Sequence, residues 1–253
     1  MNEKIKISTL GTSHGDPTRE RFNVSTLIEI PGAGGFLIDA GTPALALMIR
    51  KDFPLKNLQA IFITHMHEDH FGGLPDVVKF WAKRRPAERP LKIFLTEPES
   101  METIFTFTEL AHRKIPRELF EIHGVEPGVQ IRFPGVVITP LATDHFSNEG
   151  LHHPSCALQF SAGKKKILLT GDLSRDLHDL PRGTGADLAF CELTHYRLKD
   201  ALDVFAGEKF GRLVFTHIGN EWHGADAEAG FLRLAAGLPF PAAIARDGDE
   251  FEL

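Results

Sequence analysis

A short segment near residue 65 contains four side chains that are able to bind a metal ion. The apolar run Ile61-Phe-Ile-Thr leads directly into His65, His67, Asp69 and His70. Because alternate residues of an extended chain point the same way, His65 and His67 can reach one metal ion. Asp69 and His70 lie at the turn into the next helix and can reach a second. Packing four such ligands within six residues would be costly without a metal, so the segment predicts a metal centre.

This motif and the residues that follow it resemble the signature of the metallo-β-lactamase superfamily of dinuclear metallohydrolases. Gly72-Gly73-Leu74-Pro75 comes next, and we expect its two glycines to give the backbone freedom to turn. Three further segments are similar to strand ends of that family and occur in the family's order: Phe36–Gly41, Leu168–Asp172 and Leu213–His217. The resemblance implies an α/β fold, an αββα sandwich of two mixed β-sheets flanked by helices, with the site at the open edge between the sheets.

The resemblance also implies how the ligands divide between two ions. Three histidines would hold the first ion, an aspartate and two histidines would hold the second, and a further aspartate would bridge the pair. The implied ligands are His65, His67, Asp69, His70, His145, Asp172 and His217. Nitrogen and oxygen donors without a thiolate suit Zn²⁺, here two ions per chain, with Mn²⁺ or Fe²⁺ as alternatives.

Two of the implied ligand positions have an alternative histidine. His145 follows a strand that should end near Leu141, and His153 lies in the same loop, so both are candidates for the third histidine of the first ion. We favour His145, because related sequences supply this ligand from the same place. His217 ends an apolar strand and is favoured as the last ligand over His223, which lies six positions further on.

Residues close to the ligands have predicted supporting and catalytic roles. Asp39 is expected to accept a hydrogen bond from a ligating histidine, as carboxylates beside metal sites commonly do. The predicted catalytic residues are Asp69 of the metal motif and Glu192 with His195, the candidate proton donor to the departing group. Two close metal ions lower the pKa of a shared water toward neutrality, which gives a hydroxide nucleophile. With a phosphodiester as substrate, that hydroxide would attack phosphorus in line.

The opening of the chain resembles the tRNase Z and phosphodiesterase branch of the superfamily. The similarity lies in the glycine-rich segment Leu10-Gly-Thr-Ser-His-Gly15 and in Cys191-Glu-Leu-Thr194, which matches a tRNase Z motif at Glu192 and Thr194. It implies a phosphodiesterase. Another hydrolase of the superfamily, such as a lactonase or thioesterase, is an alternative, and a metal-free binding scaffold is an alternative of another class.

The interval that holds the tRNA-gripping arm in tRNase Z is short in this chain. That arm lies between the third histidine and the bridging aspartate, whereas here 27 positions separate His145 from Asp172, and a hairpin over Ser155–Thr170 should use most of them. The net charge of −6 also disfavours a nucleic-acid wrapper. We therefore expect a small-molecule or short phosphodiester substrate and not intact tRNA.

Short apolar runs punctuated by Gly, Pro and Asp predict strands that alternate with helices. The predicted strands are Lys4–Leu10, Val24–Ile30, Phe36–Asp39, Ala60–Thr64, Leu91–Thr96, Gln130–Phe133, Val136–Leu141, Ser155–Phe160, Lys165–Thr170, Leu188–Cys191, Arg212–Thr216 and Ala243–Arg246. The predicted helices are Ala44–Lys51, Pro75–Lys83, Glu99–His112 and Ala225–Ala236. With no linker and no repeat, residues 1–253 are predicted to form a single domain.

Composition narrows the setting in which the protein works. The chain has 253 residues, 42% of them hydrophobic, which is enough for a well-buried core. Its two cysteines are too few for a disulfide framework and indicate a reducing compartment. We expect a cytoplasmic protein without a membrane segment, since neither a signal peptide nor a long apolar run is present. Family members are often dimers, so the resemblance also implies a homodimer, to which the Phe-rich stretch Ile104–Thr108 could contribute.

Overall fold

Two mixed β-sheets form the centre of the molecule. The computed structural model describes residues 4–253, so the first three residues of the predicted domain lie outside the described part. The strands are β1 Lys6–Gly11, β2 Ser25–Ile30, β3 Gly34–Ile38, β4 Leu58–Ile63, β5 Leu91–Leu95, β6 Phe120–Gly124, β7 Ile131–Phe133, β8 Val136–Thr143, β9 Ser155–Ala162, β10 Lys165–Leu169, β11 Leu188–Leu193, β12 Leu213–Ile218, β13 Ala242–Ile244 and β14 Asp249–Glu252.

In the part of the chain that the structure describes, each sheet has seven strands, and most of them run parallel to one another. The first sheet has the order β14-β1-β2-β3-β4-β5-β6, and the second has the order β13-β12-β11-β10-β9-β8-β7. Strands β3 to β6 are parallel. In the second sheet β8 runs the same way as β10, because both pair antiparallel with β9, and β11, β12 and β13 continue in that direction. The carboxyl ends of these strands therefore meet at one edge of each sheet.

Within residues 4–253, six α-helices flank the sheets. They are α1 Ala44–Arg50, α2 Glu68–Phe71, α3 Leu74–Arg84, α4 Ser100–Glu109, α5 Leu198–Ala206 and α6 Ala225–Ala235. The apolar stripe of α3 includes Val77 and Trp81, which pack with residues of α1, α4 and the first sheet in one buried cluster. A separate cluster joins α5 and α6 to the second sheet, with Phe205 and Phe231 among its buried residues. The helices thus cover the outer faces of the sheets.

Aromatic side chains fill the space between the two sheets. Phe62 of β4 stacks on Phe94 of β5 at 4.6 Å between ring centroids, and Phe160 of β9 approaches Phe62 edge-on at 6.1 Å. All three are buried in the cluster that the two sheets share. Each such pair adds about 0.5–1.5 kcal/mol to the stabilisation from burial alone. This packing holds the inner faces of the two sheets together.

The predicted αββα sandwich is confirmed, and the predicted strands and helices are found with ends shifted by a few residues. Four of the strands and α-helices were not predicted: β6, α2, α5 and β14. The segment of α5 does have helical spacing of its apolar residues, with Leu198, Ala201 and Phe205 buried on one face. By contrast, β14 is the polar sequence Asp-Glu-Phe-Glu, and only its pairing with β1 makes it a strand.

Helix α4 divides its phenylalanines between the core and the surface. Phe105 is buried, whereas Phe107 is 62% exposed and Leu110, just beyond the helix, is 71% exposed. These side chains are available for the predicted homodimer contact, which stays a prediction. Within residues 4–253, no helix has the length and apolar character needed to cross a membrane.

Candidate metal centre

Three imidazoles converge at the end of β4. His65 Nε2 lies 3.1 Å from His67 Nδ1, which in turn lies 3.2 Å from His145 Nε2. With zinc–nitrogen bonds of about 2.0–2.1 Å, nitrogens on a tetrahedral ion stand about 3.3 Å apart, so this spacing suits one metal ion. Burial lowers the pKa of all three side chains, and that of His65 lies well below its usual range. The imidazoles are therefore neutral at neutral pH, as metal ligation requires.

A second group forms where α2 meets the end of β12. Helix α2 places Asp69 and His70 side by side, and Asp69 Oδ2 lies 2.9 Å from His217 Nε2 and 3.5 Å from His70 Nε2. His217 is the extra residue of a β-bulge, because the register with β11 shifts between Glu192 and Leu193. Its φ of 48° lies in the left-handed region. The bulge re-aims the imidazole toward Asp69, as bulges beside active sites commonly do.

Asp172 lies between the two groups. Its Oδ2 is 3.4 Å from His70 Nε2, 3.5 Å from His217 Nε2, 3.7 Å from His65 Nε2 and 3.8 Å from His145 Nε2. Gly171, which precedes it, has a φ of +58°, and a Cβ there would stand 3.0 Å from the side chain of Thr64. A glycine is thus required to turn the end of β10 so that the carboxylate reaches both groups.

Charge complementarity sets the protonation of the second group. Burial alone would raise the pKa of Asp69, but His70 and His217 outweigh it and lower the pKa to about 2. Burial would also raise the pKa of Asp172, but His217, His70 and His65 hold this pKa well below its usual range. His70 is buried, but Asp172, Asp69 and Asp39 raise its pKa well above the usual value. Both aspartates are therefore ionised and able to act as ligands.

Unpartnered polar atoms show that the cluster fits metal ions. Within residues 4–253, His70 Nε2, Asp172 Oδ1 and His217 Nδ1 are buried without a hydrogen-bond partner. Such atoms are costly unless a ligand satisfies them. A cavity of about 20 Å³ beside His70, Asp172 and His217 is large enough for one water-sized species.

The side chains that could bind a metal ion fall into overlapping groups. Within each group, the possible ligand atoms all lie within 4.8 Å of one another. The groups are His65, His67, His145 and Asp172; Asp69, His70 and His217; and Asp172, His195 and His217.

Asp39 supports His70 as predicted from its position. His70 Nδ1 lies 2.9 Å from Asp39 Oδ2, while the backbone N–H and the hydroxyl of Thr64 donate to the same carboxylate. This contact keeps a proton on Nδ1, so Nε2 is the nitrogen that would bind a metal ion, with release of its own proton. The contribution of Thr64 was not anticipated, although a polar residue that ends an apolar strand could have indicated it.

Glu192 and His195 occupy different places at the same sheet edge. Glu192 is buried, and its carboxylate accepts hydrogen bonds from the backbone N–H groups of Leu173, Thr194 and His195. His195 is 23% exposed, with Nδ1 3.0 Å from Glu192 Oε1 and 3.9 Å from Asp172 Oδ2. Burial would lower the pKa of His195, but Glu192 and Asp172 outweigh it and raise the pKa to about 9. Glu192 therefore positions His195 and favours its protonated form. Of the two side chains, only His195 faces solvent.

The competing histidines lie away from the cluster. His153 is exposed and lies 3.4 Å from Glu97, whereas His145 is buried and contacts His67. His223 Nε2 approaches the backbone carbonyl of Ile218 at 3.3 Å. The structure thus brings together all seven side chains of the favoured ligand set and neither alternative.

The glycine pair after the metal motif has a different role from the one expected. Gly72 has φ −58° and Gly73 has φ −85°, which any residue can adopt, so conformational freedom is not the reason for glycine here. A Cβ on Gly73 would stand 2.8 Å from the carbonyl oxygen of Ala40, and one on Gly72 would stand 2.7 Å from that of Glu68. Close backbone approach excludes a side chain at both positions.

Comparison with known proteins places the chain among metallo-β-lactamase-fold proteins. A family model described as "Anti-Pycsar protein Apyc1" matches residues 5–195. Ribonuclease Z of Mycobacterium sp. (strain KMS) is 26% identical over 248 residues, which cover 92% of this chain and 81% of that protein. Ribonuclease Z of Crocosphaera subtropica is 30% identical over 126 residues, which cover 49% of this chain and only 39% of that protein. The metallo-β-lactamase fold protein YhfI of Bacillus subtilis superposes with a TM-score of 0.78 at 18% identity, covering 99% of this chain and 100% of YhfI.

Proposed function

The chain belongs to the Anti-Pycsar protein Apyc1 family and is a metal-dependent hydrolase of the metallo-β-lactamase fold, and we propose that it hydrolyses phosphodiesters with two zinc ions. One observation carries this proposal: two groups of ligands meet at Asp172 Oδ2, and His195 stands 3.9 Å from the same atom. A pair of ion sites with a proton donor beside them suits the hydrolysis of a phosphodiester, because it can stabilise both the attacking and the leaving oxygen. The ribonuclease Z relatives point to the same class of substrate.

The protein would hold one ion with His65, His67 and His145 and the other with Asp69, His70 and His217, with Asp172 shared. Bound there, the ions would lower the pKa of a water molecule toward neutrality and offset charge on the phosphate oxygens. The chain's own contribution is rigid placement, because Asp39 sets the orientation of His70 and the bulge sets that of His217. These contacts mean that the ligands need little rearrangement during the reaction.

His195 would supply the proton that the departing alkoxide needs. Glu192 holds its Nδ1, which leaves Nε2 as the nitrogen that can donate to a leaving group. With the pKa of His195 raised to about 9, the imidazolium is the main form at neutral pH. General acid catalysis of this kind contributes typically about 10²–10⁴-fold to a rate.

We propose a small or short single-stranded phosphodiester as the substrate and not intact tRNA. Between His145 and Asp172 the chain forms a short 3₁₀ helix and the β9–β10 hairpin, without an extended arm. The net charge of −6 adds no general affinity for a folded nucleic acid.

The first test measures metal content and phosphodiester hydrolysis on the same preparation. We expect about two zinc ions per chain by inductively coupled plasma mass spectrometry, and chelator-sensitive hydrolysis of bis(p-nitrophenyl) phosphate. Asp172→Asn should lose metal and activity, whereas Asp203→Asn, at an exposed aspartate of α5, should keep both. Two metals without phosphodiester cleavage would favour a lactonase or thioesterase. Absence of metal after reconstitution would favour the binding scaffold.

A second test isolates the role of His195. His195→Gln should reduce turnover of a dinucleotide, whose alkoxide leaves poorly, by about 10²–10⁴-fold. It should reduce turnover of bis(p-nitrophenyl) phosphate far less, because p-nitrophenolate leaves without a proton. His153→Gln, at an exposed histidine outside the cluster, is the matched control. Equal losses on both substrates would contradict the role of His195 as proton donor.

A further inference from the structure

A cleft of about 320 Å³ adjoins the metal centre and shares one side chain with it. His195 lines this cleft, and its Nδ1 is also 3.9 Å from Asp172 Oδ2. The volume lies at the lower end of the range for small-molecule sites and suits a phosphate with part of a sugar. Because His195 is the proposed proton donor to the leaving group, the cleft lies on the side from which the leaving group departs.

Two arginines line the cleft without an internal partner. Arg175 follows Asp172 by three positions, and Arg197 directly precedes α5. Within residues 4–253, neither guanidinium has a carboxylate within 4.0 Å or makes a hydrogen bond to the protein. A guanidinium stays charged at any physiological pH, and its planar fork matches the oxygens of a phosphate. Both side chains are exposed and thus free to meet a ligand.

The loop that carries Arg175 is held in place. The Arg175 backbone N–H donates to Asn148 Oδ1 at 2.8 Å, and Asn148 Nδ2 donates to the carbonyl of Leu173 at 3.0 Å. Ser174 donates through both its backbone N–H and its hydroxyl to Asp179. A ligand that binds here would therefore not have to order the backbone first, which lowers the entropic cost of binding.

Acidic residues in the cleft do not cancel the arginines. The carboxylate of Asp176 accepts a hydrogen bond from His178 Nδ1 at 2.6 Å, and so has a cationic partner already. Asp200 lies exposed in the first turn of α5, where the helix dipole stabilises its charge. Among the described residues Asp200 has no ion-pair partner either, so two unpaired arginines face one unpaired carboxylate and the cleft keeps an excess of positive charge.

From this arrangement we infer that the cleft binds a second phosphate of the substrate, the one on the leaving-group side of the scissile phosphodiester. The enzyme then selects phosphodiesters that carry such a phosphate over those that do not, and Arg175 and Arg197 determine this specificity. The inference rests on the proposed function, because the position of the cleft is defined relative to the reaction that His195 assists.

Three thymidine dinucleotides test the inference: TpT, pTpT with a 5′-phosphate, and TpTp with a 3′-phosphate. Product analysis first shows which half of TpT departs as the alcohol. We expect kcat/KM to be about tenfold higher, mainly through KM, for the dinucleotide whose extra phosphate lies on that departing half, which corresponds to about 1.4 kcal/mol. The other phosphorylated dinucleotide should show no such preference over TpT.

Variants then assign the preference to the arginines. Arg175→Gln and Arg197→Gln should each reduce the ratio of kcat/KM between the preferred dinucleotide and TpT, and the double variant should bring it to about one. Arg233→Gln, at an exposed arginine of α6, should keep the wild-type ratio. Calorimetry gives a readout without turnover: thymidine 3′,5′-bisphosphate should bind about tenfold more tightly than thymidine monophosphate to the wild type, but not to the double variant.

The outcomes separate the two proposals. If TpT and bis(p-nitrophenyl) phosphate are cleaved but neither extra phosphate is preferred, the inference fails and the proposed function stands. A preference that survives in the double variant, or one for a phosphate on the half that does not depart, also overturns the inference. If the wild type cleaves no phosphodiester, the proposed function fails and the inference falls with it.

Discussion

The contact between Asp39 and His70 offers a sharp test of how the metal centre is built. Asp39→Asn keeps the side-chain shape and an oxygen that can accept from the Thr64 backbone N–H. Asp39 has a φ of 55°, and asparagine is one of the few residues that tolerate this left-handed conformation. The variant should therefore fold normally and differ from the wild type only in the group that faces His70, which is an amide NH₂ instead of a carboxylate oxygen.

The expected effect follows from the 2.9 Å separation between Asp39 Oδ2 and His70 Nδ1. In the variant an amide NH₂ replaces the carboxylate oxygen, so it donates to Nδ1 and pushes the imidazole proton onto Nε2. A protonated Nε2 cannot bind a metal. Loss of such a supporting carboxylate reduces metal affinity by about 10–100-fold, which is roughly 1.4–2.7 kcal/mol. Only the ion held by Asp69, His70 and His217 should be affected.

Competition titration of zinc against a chromophoric chelator measures both binding steps. The wild type should show two tight equivalents, and Asp39→Asn should show one equivalent unchanged and one weakened by about 10–100-fold. Asp52→Asn is a matched control, because Asp52 also has a left-handed backbone, with φ 58°, but is exposed and remote from the metal centre. Circular dichroism should confirm that both variants keep the wild-type fold.

Wild-type affinity for both ions in Asp39→Asn would refute this reasoning, since it would mean that His70 keeps its ligating nitrogen without the carboxylate. Equal weakening of both ions would also refute it, because His65, His67 and His145 do not contact Asp39.

Three further predictions concern metal content, packing and alkaline stability. Asp172→Asn should weaken both zinc equivalents in the same titration, because Asp172 Oδ2 faces both ligand groups. Phe62→Ala should lower the free energy of unfolding in urea by about 3–5 kcal/mol, since the ring is buried between the sheets, whereas Phe107→Ala, at a 62% exposed ring, should change it by about 0.5 kcal/mol or less. Burial raises the pKa of the Cys156 thiol and raises that of Cys191 to about 12. Above about pH 8.5 the unfolded thiols ionise while the folded ones stay protonated, so stability falls by up to about 1.4 kcal/mol per pH unit per thiol, and the double alanine variant should show a shallower fall.

Each of these predictions has an outcome that contradicts it. Asp172→Asn with one intact zinc equivalent would show that the carboxylate serves a single ion. If Phe62→Ala lowers the free energy of unfolding as little as Phe107→Ala does, the space between the sheets collapses around the missing ring. If the double alanine variant loses stability with rising pH as steeply as the wild type does, groups other than the two thiols cause the alkaline loss of stability.

Local spacing made part of this molecule predictable. The alternation of His65 and His67, and the placement of Asp69 and His70 in the following turn, depend on residues within one short segment. Their side-chain directions follow from extended and helical geometry alone. Most strands and helices could also be predicted, because their apolar periodicity depends on residues close together in the chain. The family resemblance added the sandwich architecture and the order of the ligands along the chain.

Other features depend on contacts between distant segments. The polar strand β14 exists because β1 offers it backbone partners, and His145 reaches the metal centre, unlike His153, because the turn after β8 directs it toward His67. Sequence distance cannot decide between two histidines in one loop, since the loop path is set by what it packs against.

The sequence by itself determined which residue types could bind metal and the direction of those close together in the chain. Only the tertiary structure decided that Asp172 stands between two ligand groups, that Glu192 is buried while His195 faces solvent, and that Arg175 and Arg197 line one cleft. The physical reason is that local geometry is fixed by the dihedral angles of a few residues. Distances between segments depend instead on strand register, sheet packing and bulges, which the whole chain establishes together.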